Sequence, residues 1–404
     1  MSSLNDQPFI YLDYAATAPL VGAAADAMSA YLDAGGAACS DANANSLHTP
    51  GRQAFSALES ARNDVARCLG VRPPEIVFTG GATEADNMAL RGFVLAHAGG
   101  KSQDKRVHIV TTSIEHDAIY RTACALQAEG LAEVSFARPT RSGHVDPEEV
   151  ARLVTSDTVL VSVMAANNET GAINDIAALV ALAHDNGALF HTDAVQYVGK
   201  GPLDLAALSV DLASISAHKI GGPKGVGALF VKRGTRILPA VHGGGQEFGL
   251  RSGTQNVCGI VGFAAALKAS LPDGLVDEGE LDRQRELRDI LYRGLLSHEG
   301  VHATTECLSR PDAYAPHIVN VCVEGLESET MILKFDDAGI AVSGGSACST
   351  HSLDPSRILL EMGIDKDLAL GSLRISIGQG TTLQDVERCL EAFDSIVSLR
   401  KKGR

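Results

Sequence analysis

Six short apolar runs, separated by longer helical patterns, constrain the fold of this 404-residue chain most. Runs of this length between helices are typical of a largely parallel β-sheet that is covered on both faces. In such sheets, ligands bind beyond the carboxyl ends of the strands. Because polar residues follow nearly every run, we expect the functional site at that edge. The runs cover residues 76–79, 107–112, 159–164, 188–191, 212–216 and 227–232.

The pattern changes after residue 262. Residues 278–296 form a charged amphipathic helical pattern, and 318–323 and 373–377 have the character of strands in a smaller α+β unit. A chain of this length also favours two domains. We therefore predict a large domain over residues 18–273 and a small domain made of residues 274–404 together with 1–17.

Charge and cysteine content exclude several classes of protein. A net charge of −15 argues against direct binding to nucleic acid, and the eight scattered cysteines contain no C-x-x-C pair that would indicate a metal site. Scattered cysteines in a long chain fit a reducing compartment. The amino terminus shows no secretory signal pattern, and no apolar stretch reaches the roughly 18 residues of a membrane span. We expect a cytoplasmic protein without a membrane segment.

Lys219 and Asp193 are the most informative polar residues, because each follows an apolar run and would project from the carboxyl end of a strand. This pair suits pyridoxal phosphate, since an amine forms a Schiff base and a carboxylate keeps the pyridine nitrogen protonated. Most lysines are simply exposed, which is the ordinary alternative for Lys219. A carboxylate at Asp193 is costly in an apolar setting unless it is paired.

A candidate phosphate site follows the first apolar run. Gly80 to Thr83 would open a helix, where backbone N–H groups and the Thr83 hydroxyl can bind phosphate. An ordinary glycine-rich turn with a threonine cap explains the same residues. Ser216 and His218, just before Lys219, are candidates for further donors to the phosphate.

Further candidates follow other strands. His116 could stack on a cofactor ring and move protons near neutral pH, although a structural histidine is the alternative. Arg374 lies in an apolar strand-like run and requires an anion, either a substrate carboxylate or an internal ion pair. Asn168 and Gln196 are candidates for contact with the ring hydroxyl.

Cys348 lies in a Gly/Ser-rich segment without a regular apolar period. This composition predicts an exposed loop, where a cysteine is unusual and is expected to be reactive. An incidental surface thiol is the alternative.

Together these motifs resemble the cysteine desulfurases of the NifS/IscS type, which are pyridoxal-phosphate enzymes of aminotransferase class V. The likeness runs almost from end to end of the chain. It rests on residues 11–17, 45–48, 81–87, 115–116, 167–171, 192–194, 216–219, 251–254, 343–349 and 352–356.

The resemblance implies a homodimer of the pyridoxal-phosphate-dependent transferase fold type I, an α/β fold with a mostly parallel seven-stranded sheet and a smaller α+β domain. It also implies a role for each candidate. Lys219 would bind the cofactor covalently, Asp193 would contact the pyridine nitrogen, and His116 would stack on the ring. The ring oxygen would be bound by Asn168 and Gln196, and the substrate carboxylate would be oriented by Asn168 and Arg374. The phosphate would be held by Ala82, Thr83, Ser216 and His218, and by Thr254 from the other subunit.

The implied activity converts L-cysteine to alanine and leaves the sulfur as a persulfide on Cys348, with Lys219 and His116 as the other catalytic residues. An acceptor protein, either an iron–sulfur scaffold or a thiolation enzyme, would take the sulfur. A selenocysteine lyase or another class-V aminotransferase is the alternative enzyme. A cofactor-bearing scaffold without activity would be expected to lack Lys219 or Cys348, and both are present.

Several positions depart from the pattern of the family, including Ser349, Thr350 and His351 after the cysteine. Gly80 and Gly344 stand where serine is common, Gly221 where tyrosine or another large residue is usual, and Phe248 where arginine is frequent. None of these departures removes a chemical group that was assigned a role above.

Overall fold

The computed structural model describes residues 8–32, 42–98, 106–345 and 354–400, with side chains up to residue 398. The strands are β1 (Ile10–Tyr11), β2 (Ile76–Thr79), β3 (Val107–Thr112), β4 (Ala132–Ala137), β5 (Thr158–Ser162), β6 (Leu189–Asp193), β7 (Leu212–Ser216), β8 (Gly227–Val231), β9 (Val301–Ala303), β10 (Ile318–Val323), β11 (Ile340–Ala341) and β12 (Ser372–Ser376). The α-helices are α1 (Gly22–Leu32), α2 (Thr49–Cys68), α3 (Ala82–Asn87), α4 (Phe93–Ala98), α5 (Asp117–Ala128), α6 (Pro147–Leu153), α7 (Ile176–Asp185), α8 (Val257–Ser270), α9 (Glu278–Leu296), α10 (Ser328–Asp337), α11 (Arg357–Glu361), α12 (Lys366–Ala369) and α13 (Leu383–Arg400).

A seven-stranded sheet forms the centre of the fold, in the order β2-β8-β7-β6-β5-β3-β4. The strands from β7 to β4 in this order pair in parallel, whereas β8 runs antiparallel to both β2 and β7. The predicted α/β class and the mostly parallel sheet are therefore confirmed. All six apolar runs become strands, with bounds that shift by one or two residues, as for β5. The seventh strand, β4, is a partly exposed edge strand, and its sequence has no continuous apolar run.

Alternate residues of the strands point to opposite faces of the sheet, and each face has its own hydrophobic cluster. One cluster contains Phe78, Phe190 and Phe263, and the other contains Ile109 and Leu160. Strands β3 and β7 are buried at every residue. This burial explains why they read as continuous apolar runs rather than as alternating patterns.

A second group of elements packs around a third hydrophobic cluster, which includes Leu291, Phe335 and Phe393. Here the antiparallel sheet β12-β10-β9 lies with α9, α10 and α13, and β1 pairs in parallel with β11. Helix α9 has the predicted bounds, and β10 and β12 confirm the two predicted strands, β12 beginning one residue early. We keep the division into residues 18–273 and residues 274–404 with 1–17 as a proposal.

The described helices include none that is both long and apolar enough to cross a membrane. Within the same described ranges, no group of three or more His, Cys, Asp or Glu side chains is arranged to hold a metal ion.

Candidate active site

A cavity of about 860 Å³ lies at the carboxyl edge of the central sheet. Its volume falls within the range of cofactor and small-molecule sites. The structure brings most of the predicted site residues to this cavity, although they are far apart in sequence. Those that line it are Ala82, Thr83, His116, Asn168, Asp193, Gln196, Ser216, His218, Lys219 and Arg374.

Lys219 ends a short 3₁₀ turn, Ala217–Lys219, that directly follows β7. Its Nζ donates hydrogen bonds to the carbonyl oxygens of Ala15, at 2.6 Å, and Ala16, at 2.8 Å. The side chain is partly buried in the cavity wall. The structure therefore contradicts the alternative of a simply exposed lysine.

Asp193 is the last residue of β6 and is only 6% exposed. Its Oδ1 accepts a hydrogen bond from the backbone N–H of Val195 at 2.9 Å. Burial raises the pKa of Asp193, and the nearby His116 and Lys219 partly oppose this effect. A buried carboxylate of this kind favours a cationic partner, which a protonated pyridine nitrogen would provide.

His116 caps the amino terminus of α5. Its Nδ1 accepts a hydrogen bond from the backbone N–H of Ala118 at 3.1 Å. Because Nδ1 is the acceptor, the neutral ring carries its proton on Nε2. His116 thus has a structural role as a cap and still presents a ring at the cavity.

The predicted phosphate site lies at the start of α3. Gly81 precedes this helix with φ of +147°, in a region that favours glycine, and Thr83 is exposed. Ser216 is 3% exposed, and His218 Nδ1 lies 3.1 Å from Thr17 Oγ1. Burial, assisted by the charge of Lys219, lowers the pKa of His218 to about 4. The ring is therefore neutral near pH 7 and can act as a hydrogen-bond donor without a charge.

Arg374 is 1% exposed and pairs with Asp13, whose Oδ1 lies 2.9 Å from its Nη2. Its Nη1 donates to the carbonyl oxygens of Asn168, at 3.0 Å, and Gly345, at 2.7 Å. The internal ion pair considered from the sequence is therefore present. Arg374 Nε and the buried Oδ1 of Asn168 have no hydrogen-bond partner among the described residues, which leaves both available to a ligand.

Gln196 is held by the protein at both ends of its amide. Its Nε2 donates to the Ala15 carbonyl at 2.8 Å, and its Oε1 lies 3.4 Å from Lys200 Nζ and 3.3 Å from His317 Nε2. Lys200 was not predicted from the sequence, in which it stands between two glycines. Burial lowers the pKa of Lys200 to about 7, and Lys219 adds to the effect.

Two buried acids of the cavity wall were also not predicted as site residues. Both oxygens of Asp86 lack a hydrogen-bond partner in the part of the chain that the structure describes. Burial, strengthened by the charge of Asp193, raises the pKa of Asp86. Burial also raises the pKa of Glu115 to about 8. Asp86 lies in helix α3 and therefore does not follow the strand-end pattern. Glu115 does follow β3, but its neighbour His116 was chosen as the candidate after that strand.

The donor set fits pyridoxal phosphate. The cavity offers a buried carboxylate for a ring nitrogen, a lysine amine and a helix start for a phosphate. Two predicted residues do not contribute to this picture. Thr254 is exposed and does not line the cavity of its own chain, and Cys348 lies outside the described residues.

Comparison with known proteins gives the family. The profile of the class-V aminotransferases matches residues 10–389. Cysteine desulfurase IscS of Dictyoglomus turgidum is 39% identical over 389 residues, which cover 96% of this chain and 94% of that protein. IscS of Pectobacterium carotovorum is 42% identical over 384 residues, or 95% of this chain and 91% of that protein.

Solved structures agree with the sequence relatives. A protein described as NifS-like superposes with a TM-score of 0.87 at 35% identity and covers 97% of this chain and 100% of its own. The NifS-like protein of Rickettsia africae superposes with a TM-score of 0.82 at 29% identity over 96% of this chain and 99% of its own. The chain therefore belongs to the class-V aminotransferases and, within them, to the cysteine desulfurases.

Proposed function

We propose that this protein binds pyridoxal phosphate in the main cavity, removes the sulfur atom of L-cysteine and releases alanine. The single observation that carries the proposal is the meeting of Lys219, Asp193 and His116 at one cavity. An amine, a buried carboxylate and an aromatic base in this arrangement match what the cofactor and its substrate need.

Each residue has a distinct task at the site. Bound pyridoxal phosphate supplies an electron-withdrawing ring that stabilises negative charge at the substrate Cα. Asp193 keeps the ring nitrogen protonated, while Lys219 Nζ holds the cofactor and exchanges a proton with the substrate Cα. His116 presents Nε2 to the bound molecule as a proton donor. Gln196 and Asn168 serve the ring oxygen.

Other residues bind the phosphate of the cofactor and the carboxylate of the substrate. The cradle at Ala82 and Thr83, together with Ser216 and His218, holds the phosphate. Asn168 also contacts the substrate carboxylate, which Arg374 binds by exchanging part of its present hydrogen bonds for this ligand.

Cys348 receives the sulfur. The substrate Cβ–S bond breaks, an S–S bond forms on Cys348, and the protons of the two thiols are retained in alanine and the persulfide, so that no external oxidant is needed. Support comes from Gly345, whose carbonyl lies 2.7 Å from Arg374 Nη1. Because three residues of chain span at most about 10 Å, position 348 lies within about that distance of Gly345.

We further propose a cytoplasmic homodimer in which Thr254 completes the phosphate site of the other subunit. The exposure of Thr254 away from its own cavity supports this arrangement. The persulfide would pass to an acceptor protein, either an iron–sulfur scaffold or a thiolation enzyme.

Replacement of the sulfur-accepting thiol tests the proposal. We expect Cys348→Ser to lose nearly all alanine formation from L-cysteine, whereas Cys124→Ser, at an exposed cysteine on α5, retains the wild-type rate. Undiminished turnover of L-cysteine by Cys348→Ser would contradict the transfer step and favour an aminotransferase or a lyase.

A further inference from the structure

An ion pair borders the phosphate cradle at the start of α3. Arg251 Nε lies 2.8 Å from Glu84 Oε1, and Arg251 Nη2 lies 3.4 Å from Glu84 Oε2. Both side chains are 24% exposed, and Glu84 lines the main cavity. The pair joins the cradle to the loop that carries Thr254, a loop far away in sequence.

The Glu84 carboxylate also occupies part of the cradle itself. Its Oε2 accepts a hydrogen bond from the backbone N–H of Gly80, one of the groups that a phosphate would otherwise use. A Cβ atom at position 80 would lie only 2.9 Å from this oxygen. A side chain at position 80 would therefore have to share its space with the Glu84 carboxylate.

A carboxylate at this place works against an anionic ligand. A phosphate monoester carries a charge of about −1.5 to −2 near neutral pH, and a nearby unpaired Glu84 would repel it. The Arg251 guanidinium cancels the carboxylate charge and fixes its direction. The site thus contains a carboxylate, Glu84, that would repel a phosphate, and a guanidinium, Arg251, that neutralises this carboxylate.

We propose that Arg251 is a positioning residue for phosphate recognition, which holds and neutralises Glu84 so that the cradle accepts a phosphate dianion. The proposal rests on the proposed function, in which this cradle binds the phosphate of the cofactor. It predicts that replacing Arg251 alone weakens phosphate binding more than replacing both Arg251 and Glu84.

The test measures dissociation constants of pyridoxal phosphate and of pyridoxal, by absorbance, for the full chain freed of cofactor. We expect Arg251→Gln to weaken pyridoxal phosphate binding about tenfold or more, because a charge is left without its partner. Glu84→Gln alone should bind at least as well as the wild type. The double variant Glu84→Gln/Arg251→Gln should return to within about threefold of wild type.

Pyridoxal has no phosphate, so its affinity should be equal in all variants. Arg152→Gln, which breaks the surface pair with Glu149, is the matched control and should change neither constant. A double variant as weak as Arg251→Gln, or an equal loss of pyridoxal affinity, would overturn the proposal in favour of a purely structural role.

Inorganic phosphate separates this proposal from the proposed function. Its binding to the cofactor-free variants, followed by calorimetry, should show the same order of affinities. If the wild type and the variants bind phosphate in that order of affinity, but the wild type does not form alanine from L-cysteine, the proposed function fails and the role of Arg251 stands. Equal phosphate binding by all variants would overturn the role of Arg251 alone.

Discussion

At the scale of single residues, burial raises the pKa of three acids in the cavity wall. Asp193, Asp86 and Glu115 all have a raised pKa, for which burial is the main cause. In the function proposed above, Asp193 is the acid to which the cofactor brings a positive charge. The sequence allowed Asp193 to be predicted because it follows a strand, but burial of the other two acids depends on packing that no local pattern shows.

The raised pKa of Glu115 makes the stability of the fold depend on pH. Its pKa is about 8 in the folded chain against an ordinary value of 4.5. Between these values the folded state retains a proton that the unfolded state has lost, so this residue's contribution to stability is full below pH 4.5 and is lost as the pH rises through 8. Glu115→Gln cannot ionise and should escape that loss.

We therefore expect Glu115→Gln to gain about 1 to 3 kcal/mol of unfolding free energy relative to wild type between pH 5 and pH 8. Urea unfolding at several pH values measures the difference. Glu148→Gln, at an exposed position on α6, is the control and should show no such trend. A constant difference between Glu115→Gln and wild type across this range would contradict a buried, protonated Glu115.

The backbone conformation and packing at Gly221 explain why this position holds glycine and not the larger residue that is usual in the family. Its φ is +78°, and a Cβ atom there would lie 2.4 Å from Val21 Cγ1 and 3.2 Å from the Pro19 carbonyl oxygen. Gly221→Ala should therefore lower the unfolding free energy by about 2 to 4 kcal/mol, from the backbone conformation and the clash together.

Gly234 serves as the control for Gly221, because it has φ of +99° but open space around its Cα. Gly234→Ala reports the backbone cost alone, which we expect at about 1 kcal/mol. If denaturant unfolding shows the same decrease in unfolding free energy for Gly221→Ala and Gly234→Ala, the contact with Val21 does not contribute to the cost of the Gly221 substitution.

At the scale of elements, the sequence predicts the buried strands of the central sheet better than the partly exposed strand β4. The inner strands, such as β3 and β7, are buried at every residue because both faces of the sheet are covered. The edge strand β4 is partly exposed, and its mixed composition hides it. The turn of Ala217–Lys219 was also not predicted, although it directs the Lys219 side chain.

Helix α2 is tied to the sheet by a buried ion pair. Arg62, 2% exposed, makes two hydrogen bonds to Glu247, at 2.8 and 2.9 Å, and its guanidinium stacks on Phe78 at 4.7 Å. Glu247→Gln keeps the shape but leaves a buried positive charge with less compensation. We expect a loss of about 3 kcal/mol in unfolding free energy.

The surface pair of Arg67 and Asp64 on the same helix provides the comparison. Asp64→Asn should cost less than about 1 kcal/mol, because solvent screens an exposed pair. Both variants are compared by denaturant unfolding. A small loss for Glu247→Gln, similar to that for Asp64→Asn, would contradict the anchoring role of the buried pair.

At the scale of the whole molecule, the site is assembled from segments that only the fold brings together. The sequence predicted which side chains follow strands, and therefore ten of the residues that line the cavity. It could not predict that the carbonyl of Ala15 binds both Lys219 and Gln196, or that Asp13 pairs with Arg374, since these contacts come from the far amino terminus. Cys348 stays a prediction, because it lies outside the described residues.

The most direct test of the account follows the sulfur atom. The cofactor-loaded protein is mixed with L-cysteine for one turnover, alanine is quantified, and peptides are analysed by mass spectrometry without reductant. We predict one alanine for each site, with one added sulfur atom on the Cys348 peptide, none on the Cys124 peptide, and neither product with Lys219→Ala. Alanine formed without any sulfur on Cys348, or undiminished alanine formation by Lys219→Ala, would contradict the account.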